Sequence, residues 1–171
     1  MIDDDVPWLN DEEQKVWRAL LWSLQKLRER LDQQMQRDAG MPHAYYLILV
    51  VLAEKPERTA SMTELSRVTQ FSPSRLSHAV RKLETLGWIA RQRHPENGRV
   101  VIARLTHDGL NVLRGATPGH VREVRRLLFD RITLEQVRQL GDISLALLAV
   151  DPADHAESRG SDAPSESARS G

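Results

Sequence analysis

Ser72, Ser74, Arg75, Ser77, His78, Arg81 and Lys82 are the residues whose types and spacing suggest chemistry first. Ser72 is a favoured N-cap, and Pro73 suits the first helical position, where a missing N–H costs nothing. In the helix that follows, Leu76, Ala79, Val80, Leu83 and Leu86 fall on one face, with Ser74, Arg75, Ser77, His78, Arg81 and Lys82 on the other. The outer face carries positive charge, short hydroxyls and no acid, with Glu84 on the border. Guanidinium forks, an ammonium and hydroxyls are the donors that base edges and phosphates accept from, so the helix has the chemistry to lie in a DNA major groove. An ordinary surface helix has the same apolar stripe. Its neighbours must decide between the two readings.

Upstream, Ser61-Met62-Thr63-Glu64 has the form of a capping box, opening a helix through Val68, and Thr69-Gln70-Phe71 supplies a tight turn. Short helix, turn and basic amphipathic helix follow the order of a helix-turn-helix. Downstream, Gly87 is a natural C-cap. Trp88 to Arg93 partly alternates apolar and basic residues, Asn97-Gly98 is a hairpin-turn signal, and Val100 to Leu105 supplies a returning strand. A helix-turn-helix followed at once by a hairpin with a basic tip reads as a winged helix.

The remaining elements must hold this unit. Residues 10–36 read as a long helix with Asn10 and Glu13 at capping-box spacing and a stripe of Trp17, Leu20, Leu21, Leu24, Leu27, Leu31 and Met35. Trp22 lies off that stripe, which calls for a second packing partner or a cavity wall. His43 to Ala53 is apolar around nearly its whole circumference, as a central helix covered on both sides would be. Lys55 to Ala60 reads as a charged loop. Thr106 N-caps a helix that Pro118, between Gly115 and Gly119, is expected to kink or break. Thr133 and Gln136 form a further capping box before a final helix to about Val150, and residues 151–171 read as a disordered tail.

Composition narrows the function classes. Lys plus Arg and Asp plus Glu each number 24 in 171 residues, so total charge selects no partner. Residues 61–105, however, hold eight Lys or Arg against three acids, a local balance of +5 between acidic ends, which fits a nucleic-acid footprint. There is no cysteine, hence no disulfide framework, thiolate metal site or thiol switch within the chain. The start lacks the pattern of a signal peptide and no apolar run approaches a membrane span, so a cytoplasmic protein is expected. The six His show no metal-binding pair at i, i+4 spacing, and neither a phosphate loop nor a nucleophile elbow is present. No enzyme, cofactor or metal is expected.

From about Asp11 to Ala149 the chain resembles the MarR family of bacterial winged helix-turn-helix transcriptional regulators. The residues that carry the resemblance are Ser72-Pro73-Ser74-Arg75-Leu76-Ser77, Leu83-Glu84 and Gly87, and then the wing. The family's wing signature is Asp-x-Arg, five residues, then Leu-Thr; here it is Asn97-Gly98-Arg99, five residues, then Leu105-Thr106 with Gly109 beyond. Asn97 replaces the acid that helps to hold the wing and its Arg.

The resemblance implies a mainly α fold with a small β-hairpin wing. A dimerisation region would comprise an N-terminal helix (1–37) and C-terminal helices (106–150), around a winged helix-turn-helix at 38–105. It implies a homodimer, with double-stranded DNA as partner and a pseudo-palindromic operator with half-sites about one helical turn apart. Ser74, Arg75, Ser77 and His78 would meet base edges; Arg81, Lys82, Arg91 and Arg93 would hold phosphates, and Arg99 would reach the minor groove. The implied function is that of a repressor, released where a small aromatic or phenolic effector enters a cavity lined by Trp17, Trp22, His43 and Tyr46. Those four also fit the role of core and interface aromatics. The competing reading is a winged-helix module for protein contacts without specific DNA binding.

Overall fold

Capping chemistry sets most helix boundaries in the computed structural model, which describes residues 6–93, 97 and 100–149. Asn10 accepts the Glu13 N–H at 2.9 Å and the Glu13 carboxylate accepts the Asn10 N–H at 2.8 Å, opening α1 (Asp11–Ala39). Gly40, at φ +63°, ends it. There follow α2 (His43–Glu54), β1 (Thr59–Ser61), α3 (Met62–Thr69), α4 (Pro73–Thr85), β2 (Ile89–Arg93), β3 (Val101–Leu105), α5 (His107–Leu127) and α6 (Leu134–Leu148). The chain divides into two compact units, Met1–Leu127 and Leu128–Gly171. In the second, the reciprocal bonds of Thr133 and Gln136 open α6, on which Leu134, Ile143, Leu145, Leu147 and Leu148 are exposed.

In the first unit α2 is the hub, packed against α1, α3, α4, α5, β1 and β3. Ile48, Leu49 and Leu52 are buried outright, as expected for a helix apolar all round. The core continues into Leu65 of α3, the inner face of α4, Ile89, Ala103 and Leu105 of the strands, and Leu110, Leu113 and Ala116 of α5. The antiparallel sheet has the order β1-β3-β2. Ile89 pairs with Leu105 at one end of the hairpin and Arg93 with Val101 at the other.

Four expectations change. Thr59 and Ala60, read as loop, form with Ser61 the short edge strand β1, where Thr59 pairs with Arg104; three residues are too few for a periodic signal. The helix after Thr106 runs unbroken through Pro118. Packing on both sides explains this: Leu110, Leu113 and Ala116 are buried before the proline, and Gly119 lies against Gln34 and Asp38 of α1 after it. Ser61 accepts the Glu64 N–H at 3.1 Å, but Glu64 pairs with Lys55 instead of returning the bond, so the box is half formed. Leu86, placed on the inner face by periodicity, is 50% exposed because the helix has ended at Thr85.

Among the described residues no helix is long and apolar enough to cross a membrane, and no group of His, Asp or Glu is placed to hold a metal ion. The tail at 151–171 lies outside the described residues.

Candidate nucleic-acid interface

Both ends of α4 are defined by specific bonds. The Ser72 hydroxyl accepts the Arg75 N–H at 3.3 Å with Pro73 in the first turn. At the exit Gly87 adopts φ +74°, its N–H donating to Glu84 O and that of Trp88 to Leu83 O, both at 2.9 Å. This pair of bonds is a Schellman motif, and a residue with a Cβ would be strained at Gly87. At the entry the turn from α3 uses Gln70 where glycine is common. Gln70 sits at φ +56°, and its side-chain amide donates to Arg67 O at 2.6 Å.

Leu76, Ala79, Val80 and Leu83 are buried, whereas Ser74, Arg75, Ser77, His78, Arg81 and Lys82 are exposed on the opposite face. The guanidinium of Arg75 lies over the Phe71 ring, 4.3 Å from its centroid, in cation–π geometry. Arg91 on β2 is exposed but engaged: its Nε donates to the Glu84 carboxylate at 2.8 Å. That hydrogen bond holds the Glu84 carboxyl below the usual carboxylate range and ties the strand to α4. Arg93 ends β2 beside the wing turn, exposed, and Arg99 lies outside the described residues.

Of the four residues expected around an effector, the fold brings two together. His43 stacks on Tyr46 at 6.0 Å between ring centroids, and both meet His120 of α5, at 5.1 and 4.4 Å. His120, distant in sequence and off any short-range pattern, is the residue that sequence reasoning missed. Trp17 and Trp22 lie elsewhere, 52% and 69% exposed in the N-terminal half of α1. Asp32, which accepts the His43 backbone N–H at 2.8 Å, is about 22 Å farther along the helix axis than Trp17. Three buried side-chain atoms without a hydrogen-bond partner gather where α1, α2 and α5 meet: Gln34 Oε1, His43 Nε2 and His120 Nδ1.

Burial, reinforced by the neighbouring His120 and opposed by Asp32, pushes the His43 imidazole down to about 4. Burial lowers His120 as well. Above pH about 6.5 these rings are neutral whether the chain is folded or unfolded. As pH falls from there towards 4, the unfolded chain takes up protons that the folded protein refuses, and stability is lost. Urea unfolding midpoints should therefore fall between pH 7.5 and 5, and less steeply in His43→Phe. An unchanged slope in that variant would remove His43 from the effect.

Residues 39–100, which span α2 to the wing, match the model of the MarR family. Sco3205, a MarR family transcriptional regulator from Streptomyces coelicolor solved in complex with DNA, is 46% identical with a TM-score of 0.84, over 89% of this chain and 96% of that one. The chain belongs to the MarR family. AbsC, a MarR family regulator from the same organism, is 32% identical over 90% of this chain and 100% of its own, with a TM-score of 0.79. More distantly, the chain is 26% identical over 110 residues to the transcriptional regulator PapX of Escherichia coli, covering 64% of this chain and 66% of PapX. It is 24% identical over 107 residues to the repressor YetL of Bacillus subtilis, covering 61% of this chain and 64% of YetL. It is thus a MarR-family transcriptional regulator, not an enzyme.

Proposed function

We propose that this MarR-family regulator binds double-stranded DNA sequence-specifically as a homodimer on a pseudo-palindromic operator and represses transcription. The observation that carries the reading is the outer face of α4, which offers Ser74, Arg75, Ser77, His78, Arg81 and Lys82 to solvent without an acid among them. The DNA complex of Sco3205 supports it, and YetL is a repressor. Ser72 caps the reading helix, and Arg75 with its neighbours Ser74, Ser77 and His78 reads bases. Arg81, Lys82 and Arg93 hold phosphates, Arg91 joins them if it leaves Glu84, and Arg99 enters the minor groove. Residues 38–105 form the DNA-binding region, and 1–37 and 106–150 the dimerisation region. Supporting the dimer, Val16, Trp17 and Trp22 of α1 are exposed apolar side chains of the kind a second copy covers.

Selection from random duplexes supplies the operator, and two variants then test the assignment. Arg75→Ala should relax preference at one base pair by about 1–3 kcal/mol. Lys82→Ala should weaken all sequences alike and lower the salt slope by about one. Full operator affinity in both variants at physiological salt would overturn the groove assignment in favour of a protein-contact module.

Release by a small aromatic effector completes the reading. The stacked rings of His43, Tyr46 and His120, beside three polar atoms without partners, suit a phenol or an aromatic carboxylate. Titrating a panel of such compounds against the operator complex tests this, and no release across the panel would refute it.

A further inference from the structure

The end of the sheet far from the wing carries a concave feature. A basin of about 760 Å³ opens between the turn after α2, the end of β3 and the start of α5, within the size range of small-molecule sites. Lys55, Arg58, Arg104 and His107 line it together with Ala90, the cross-strand partner of Arg104, and Glu57 is the one acid among the described residues of its wall.

The cations in this wall differ in what already occupies them. Lys55 is paired with Glu64. Arg58 and Arg104 have no side-chain partner among the described residues, although Thr59, next to Arg58, is the cross-strand partner of Arg104. Glu57 and Arg58 both sit at φ +54°, a conformation costly for residues with a Cβ, in the turn that brings Arg58 to the basin. On the opposite wall, the Asn111 amide lies 3.1 Å from His107 Nδ1; with that nitrogen accepting, the ring proton sits on Nε2 as a donor. The first turn of α5 adds the positive end of a 21-residue helix, although Asp108 in the same turn offsets part of it.

Two guanidiniums without side-chain partners among the described residues and an imidazole, beside the Glu64-paired Lys55, give this basin more donors than acceptors. Planar guanidinium forks match the oxygens of phosphate and carboxylate. We propose that this basin is a binding site for a small, doubly charged oxyanion, either a phosphorylated or a dicarboxylate metabolite. The pair Ile89–Leu105 lies at this end of the hairpin and Arg93–Val101 at the wing end, so the site is separate from the outer face of α4 and the wing. It does not depend on the DNA-reading assignment.

The test uses the full chain, with inorganic phosphate and succinate as probes and sodium chloride at matched ionic strength as reference. Calorimetric titration should show saturable binding of at least one probe, on the order of millimolar. That binding should be about tenfold weaker in Arg58→Gln/Arg104→Gln and unchanged in Arg75→Ala/Lys82→Ala. Tighter phosphate assigns a phosphorylated ligand, and tighter succinate a dicarboxylate. Either supports the site. Arg104→Lys, which keeps the charge but loses the fork, should fall between wild type and the double variant, and its circular dichroism should match wild type. Binding of neither probe, equal binding in wild type and the Arg58/Arg104 variant, or loss only in the Arg75/Lys82 variant would overturn the proposal. The last result would move the anion to α4 and leave the DNA reading intact.

Discussion

Gly109→Ala is expected to lower the unfolding free energy by about 3 kcal/mol, the upper end of what overpacking costs. A Cβ at this position would lie 2.1 Å from the Trp88 carbonyl oxygen and 2.8 Å from Leu105 Cδ1. The leucine terminus can turn aside. The carbonyl cannot, because it accepts the Thr106 N–H at 3.1 Å, while the Thr106 hydroxyl donates to Gly87 O at 2.7 Å and accepts the Gly109 N–H at 3.0 Å. These bonds fasten the first turn of α5 over the exit of α4. Relief of the clash therefore means breaking at least one of them. Gly115→Ala is the control: nothing lies within 4 Å of its added methyl, and an alanine inside a helix should stabilise by about 0.5–1 kcal/mol. Urea denaturation of the two variants at one pH reads both signs. Equal midpoints would mean that the junction yields more easily than its bonds suggest.

Leu83→Ala should cost about 2–5 kcal/mol, a large share of the 5–15 kcal/mol by which domains are stable. Leu83 is completely buried in the last turn of α4, and its carbonyl accepts the Trp88 N–H of the Schellman cap. Truncation leaves a cavity where helix, cap and strand meet. Few substitutes are at hand, since the inner face otherwise rests on Leu76, Val80 and the small Ala79. Leu86→Ala, three residues on and half exposed, should change stability by no more than about 0.5 kcal/mol. Similar losses at the two positions would contradict the helix end at Thr85.

Much of this architecture was legible because it is local. Asn10 with Glu13, Ser72 with Pro73, Gly87, Thr106 and Thr133 with Gln136 mark helix ends through bonds spanning three or four residues, and those bonds form. The outer face of α4 followed from periodicity alone. What was not legible depends on contacts between elements. Arg91 reaches Glu84 because a strand folds back along a helix. His120 joins His43 only when α5 crosses α2, and the helix around Pro118 is held by packing on both sides of the proline. Leu86 looked internal because periodicity does not register where a helix stops. Glu64 had the right spacing to cap Ser61, but Lys55, nine positions earlier, competes for its carboxylate.

Phe71 belongs to the buried core and also lies beneath the Arg75 guanidinium. Its carbonyl is held in turn by the Ser66 hydroxyl at 2.6 Å, so ring, turn and α3 are linked. An arginine free in solvent samples many rotamers, and ordering it on binding opposes affinity. One that rests on a fixed ring has lost part of that freedom on folding. At Phe71, therefore, packing and recognition share a single side chain. A change that never meets DNA would still alter how sharply the proposed base-reading arginine is aimed.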